Sequence, residues 1–117
     1  PPPGDAKPRM TLNAFPVKAD GTLGPKKVLV NFGNELGIDG MTVDTLGHIY
    51  AAVRSASRFG IHVYKPDGSE VAYIPTPDLP TNCDFGKGDD ASTLYITAGK
   101  SLFQVRVETP GWAVHRP

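Results

Sequence analysis

The chain has 117 residues, with 12 Lys and Arg balanced by 12 Asp and Glu for a formal net charge of zero. Without the basic excess that neutralises phosphate, neither nucleic acid nor an anionic membrane is an expected partner. Thirteen Gly and 12 Pro take up roughly a fifth of the positions, against about 14 residues at average usage; this argues against a helical bundle and for short strands joined by tight turns.

With 39% apolar and 21% charged residues, the chain has core material enough to exclude disorder. No apolar run approaches the roughly 20 residues that span a bilayer, the longest clear stretch lying near Tyr50-Ala51-Ala52-Val53. The expectation is a soluble protein, with cytoplasmic and periplasmic or secreted locations equally open. A lone cysteine, Cys83, excludes an internal disulfide framework. Pro1 opens the chain with neither Met nor a signal-like apolar segment, so the sequence reads as processed or excerpted.

Four of the first eight residues are Pro and lack an amide N–H, so 1–9 reads as an extended lead-in. Thr11 to Val17 and Lys27 to Phe32 are β-rich runs around an Asp20-Gly21 turn, which predicts a hairpin with a long loop. Four strand-like runs follow: Gly40 to Asp44, His48 to Val53, Gly60 to Tyr64 and Val71 to Pro75. Turn chemistry at Leu46-Gly47 and Pro66-Asp67-Gly68 predicts a meander of antiparallel neighbours. The grammar restarts after Pro77 and Pro80 with Asn82 to Gly86, Thr93 to Thr97, a Gly99-Lys100 turn and Ser101 to Val107.

Superposing the two copies places Tyr50 on Tyr95, 45 residues apart, about the blade period of a β-propeller. Propellers close with about four to eight four-stranded blades, so the expected fold is all-β and a partial propeller of two and a half blades. The divisions are 1–9 lead-in, 10–33 outer hairpin of a preceding blade, 34–76 complete blade, 77–107 most of the last blade, and 108–117 tail. The strand from Leu102 to Val107 has no obvious fourth partner before Ala113-Val114-His115. The sequence reads as the C-terminal part of a larger protein.

The segment Gly37-Ile38-Asp39-Gly40-Met41-Thr42-Val43-Asp44-Thr45-Leu46-Gly47-His48-Ile49-Tyr50 resembles the Pro-Asp-Gly-Met strand of the senescence marker protein, regucalcin and gluconolactonase family of six-bladed propellers. Gly60 to Gly68, Pro80 to Gly86 and Thr93 to Thr97 follow in that family's order, and Ile38 stands where the family has Pro. The resemblance implies a metal-dependent hydrolase acting on lactones, with a divalent cation, Ca²⁺ first and Zn²⁺, Mg²⁺ or Mn²⁺ as alternatives. It implies that Asp39 is both metal ligand and catalytic residue. The family's other ligands, a glutamate and a Ser-Asn-Gly asparagine, have no counterpart in this chain.

Asp39 between glycines also suits a turn; a carboxylate there is at most one ligand of a hard-cation site. Aligning the innermost strands places Asn82 under Asp39, as a channel-facing group or a turn asparagine. Cys83 reads as a small buried hydrophobe, and His48, His62 and His115 lack metal-ligand spacing. Asp44 and Asp67 read as turn aspartates and Asp89-Asp90 as a solvated turn. Tyr50, Tyr95, Phe85 and Phe103 read as packing between blades, with Trp112 covering an edge. Expected partners are a small lactone and either the missing N-terminal blades or another copy of the chain. The alternative functions are a non-catalytic propeller module binding a ligand or protein and, among enzymes, a phosphotriester hydrolase.

Overall fold

Short β-rich runs punctuated by Gly and Pro fold into nine strands and one 3₁₀ turn at Gly88–Asp90 in a computed structural model that describes residues 10–112. The strands are β1 (Thr11–Ala14), β2 (Lys27–Asn31), β3 (Ile38–Val43), β4 (Ile49–Val53), β5 (Gly60–Tyr64), β6 (Glu70–Pro75), β7 (Pro80–Phe85), β8 (Thr93–Ala98) and β9 (Ser101–Arg106). They form three antiparallel sheets, each in chain order: β1-β2, β3-β4-β5-β6 and β7-β8-β9. The fold is all-β, a partial propeller. The lead-in and the stretch containing Ala113-Val114-His115 lie outside the described residues.

The turns form where the residue types demand. Gly47 and Gly68 close theirs at φ 86° and 91°, where a side chain would be strained. Pro80 begins β7 instead of marking only the crossing before it, and a first strand position tolerates the missing N–H.

The middle sheet is covered on both faces, which explains why its central strands are buried at nearly every position rather than at alternate ones. Ala51, Val53 and Tyr64 pack with Leu12, Leu29, Val30 and Phe32 toward the hairpin. Tyr50, Ala52, Ile61 and Val63 pack with Cys83, Leu94 and Ile96, and with Phe85 and Phe103, toward the third sheet. Tyr50 meets Phe85 edge-on at 5.1 Å between centroids.

By the repeat, Tyr95 and Leu102 occupy the places of Tyr50 and Ile61. They face away from the middle sheet, so Leu102 is 67% exposed where Ile61 is fully buried. Tyr95 is therefore not packed between the described sheets. Trp112 is exposed, and it is its backbone N–H that joins the fold by donating to the Val43 carbonyl at 2.9 Å. Among the described residues, no helix is long and apolar enough to cross a membrane.

Candidate functional site

The first strands of the second and third sheets, β3 and β7, pack along one another. Both carry a register irregularity at the same height. In β3 the pairing with β4 slips between Ile38 and Met41, so Asp39 and Gly40 face a single partner residue. In β7 the slip lies between Pro80 and Asn82. A bulge of this kind turns side chains out of the ladder, and both Asp39 and Asn82 are exposed.

The register corrects the expected alignment. Counting from Tyr50 paired with Thr42 and Tyr95 paired with Asp84, Asn82 is the counterpart of Gly40, and Thr81 that of Asp39. Each strand carries one extra residue at its bulge, so the offset between the two strands stays constant and Asn82 falls one position past the counterpart of Asp39. Asn82 still reaches the Asp39 segment, because its amide occupies the space where a Cβ on Gly40 would stand. Its Oδ1 accepts from the Cys83 amide at 2.8 Å, which fixes the side chain.

One step further along the same pair of strands, Thr42 Oγ1 donates to Asp84 Oδ1 at 3.0 Å. That oxygen also accepts from the Phe85 amide at 2.8 Å. Asp84, on β7, is an exposed carboxylate in addition to Asp39 of β3 that motif reading passes over. The available signal was its match by period to Thr42. Asp39, Asn82 and Asp84 are thus three exposed polar side chains on two neighbouring strands. Among the described residues no group of three or more His, Cys, Asp or Glu side chains could hold a metal ion.

The remaining polar residues divide by burial. Cys83 is buried, its thiol donating to the Tyr50 carbonyl at 3.3 Å. Burial, reinforced by the nearby Asp84 charge, pushes that thiol up to about 12, which removes it as a nucleophile. Asp44, expected as a turn residue, does accept the turn through its carbonyl from the Gly47 amide at 3.0 Å. Its carboxylate is also buried, at 2% exposure, and bonds to His48 and Tyr50. His62 is buried between Arg58 and Glu70, away from β3 and β7. His115 lies outside the described residues.

A family model described as "SMP-30/Gluconolactonase/LRE-like region" matches residues 5–100. The chain belongs to this family. A curated relative, the gluconolactonase of Zymomonas mobilis subsp. mobilis, is 35% identical over 75 residues. That match covers 62% of this chain and 19% of the relative. An X-ray structure of a protein assigned as a gluconolactonase superposes with a TM-score of 0.71 at 29% identity. The superposition covers 88% of this chain and 33% of that one. This family member therefore spans about a third of its solved neighbour, in keeping with part of a propeller ring.

Proposed function

We propose that the protein to which this chain belongs hydrolyses the ester bond of sugar-type lactones at a divalent cation held in part by Asp39. Family membership supports lactone hydrolysis. The observation that carries the residue assignment is the exposed Asp39 carboxylate, turned out at the β3 bulge beside the fixed amide of Asn82.

The donor offered here is a carboxylate oxygen, the chemistry that suits Ca²⁺ better than the nitrogen and sulfur sets favoured by Zn²⁺. It makes an incomplete site, and the further ligands would come from other parts of the longer protein. When bound, the cation would act as a Lewis acid on the lactone carbonyl. Asp39 accepts a hydrogen bond from the attacking water and takes up its proton. The water oxygen bonds to the carbonyl carbon, the ring C–O bond breaks, and the proton passes to the departing alkoxide to give a hydroxy acid. Asn82 offers an amide N–H₂ to a substrate hydroxyl, since its Oδ1 is engaged by Cys83.

In the full-length protein, Asp39→Ala is expected to abolish Ca²⁺ binding by calorimetry together with hydrolysis of gluconolactone. Hydrolysis retained with unchanged metal dependence overturns the assignment of Asp39. A wild-type protein that turns over phosphotriesters but no lactone overturns the substrate class.

A further inference from the structure

A second concave site lies between the second and third sheets, and none of its lining residues belongs to β3 or β7. It is an open cleft of about 240 Å³, lined by the aliphatic side chains of Val63, Val71, Ala72, Ile74 and Val107 and by His48, Tyr50, Glu108 and Thr109.

The polar part of the lining is built from the core outward. The buried Asp44 carboxylate takes four hydrogen bonds: from the amides of Leu46 and His48 at 2.9 and 3.0 Å, from the Tyr50 hydroxyl at 3.1 Å, and from His48 Nδ1 at 2.8 Å. Four donors converge on it, the surroundings of a carboxylate anion. The His48 side chain is 26% exposed while that of Asp44 is wholly covered. With Nδ1 committed to Asp44, the Nε2 edge is what the ring has left to offer the cleft. In the neutral imidazole a donating Nδ1 leaves Nε2 as an acceptor.

The aliphatic side chains of the lining are thus joined by Tyr50, Thr109, the His48 ring and Glu108, with the Asp44 carboxylate behind the ring. An anion would meet two carboxylates. A ligand with N–H donors and positive charge at one end and an apolar body at the other suits the Glu108 carboxylate and the aliphatic lining. We propose that this cleft binds a small amphiphilic organic cation, an ammonium group on one ring or a short alkyl chain. Its volume lies below the about 300–1,000 Å³ of drug-sized pockets, which limits the occupant to that size. The site is separate from Asp39 and does not depend on lactone hydrolysis.

The test is an NMR titration of the folded protein with benzylammonium, following the His48 ring and the methyls of Ala72 and Val107. Benzyl alcohol and benzoate serve as neutral and anionic matches. Benzylammonium is expected to shift these signals saturably in the millimolar range, more strongly than benzyl alcohol, while benzoate leaves them in place. Ala72→Trp fills the cleft from an exposed position on β6 and should abolish the response. Glu108→Gln, a surface change that leaves the fold intact, should weaken binding about threefold, as for an exposed ion pair. Equal shifts with benzoate, no saturable shift with benzylammonium, or undiminished binding in folded Ala72→Trp overturns the proposal.

Discussion

The amide of Asn82 fills the volume that a side chain on Gly40 would need, so one glycine on β3 allows the first strands of two sheets to come together. The Asn82 Cα lies 3.0 Å from that same position. Gly40→Ala should therefore cost about 1–3 kcal/mol, the usual range for overpacking. Asn82→Ala in the same chain should recover part of the loss. Urea unfolding of both single variants and the double variant checks this through their coupling energy.

Asp44 and Asp67 both precede a glycine in a tight turn, yet they should respond very differently to replacement. Asp67 is exposed and bonds to the amide and hydroxyl of Ser69. Asp44→Ala leaves the Leu46 and His48 amides and the Tyr50 hydroxyl without their acceptor, for about 3 kcal/mol or more. Asp67→Ala should cost about 1 kcal/mol or less, as for exposed turn and cap groups. Thermal unfolding of the two variants side by side gives the contrast.

Cys83 should resist thiol reagents at neutral pH in the folded protein and react fully once unfolded. Its raised folded value also sets a sign for stability. The unfolded thiol ionises near the ordinary 9.0 while the folded one holds its proton to about 12. The unfolded state therefore binds fewer protons in that window, and stability falls as pH rises through it. Cys83→Ala should flatten that part of the stability profile measured by denaturant unfolding.

On β6, Glu70 accepts from both guanidinium nitrogens of Arg58, in the connection between β4 and β5, at 2.6 and 2.7 Å. The Arg58 hydrogen bonds, assisted by its charge and by His62, hold the Glu70 carboxyl below its ordinary 4.5. A depressed folded value means that stability from this group is present above 4.5 and lost as pH falls through the folded value. Glu70→Gln should remove that acid-limb dependence and cost about 1 kcal/mol or less at neutral pH, because the pair is partly exposed.

Much of this architecture is legible before any coordinates. The largely apolar runs of β4 and β5 register burial on both faces, the Asp-Gly pairs mark the turns, and the Tyr50 to Tyr95 spacing sets the repeat. What escapes is local. The register of β3 against β7 leaves no mark in composition, so matching by segment sets Asn82 on Asp39 when it is the counterpart of Gly40, and in a strand a single step changes which face a side chain takes. Asp44 reads as a turn residue because its turn bond is local, whereas its burial comes from Tyr50 and a cleft completed by residues after β9. Asp84 gives no motif, because its hydrogen bond to Thr42 spans 42 positions.

The paired bulges bear on how such a protein can change. Each contributes an outward side chain at the same height on its strand, Asp39 in one sheet and Thr81 in the next, while the apolar clusters between the sheets lie on other residues. The rim is thus assembled like a combination lock, one position per sheet. A substitution at Asp39 or Thr81 changes the chemistry of this surface without disturbing the apolar clusters between the sheets, whereas one at Asn82 also alters the contact with Gly40.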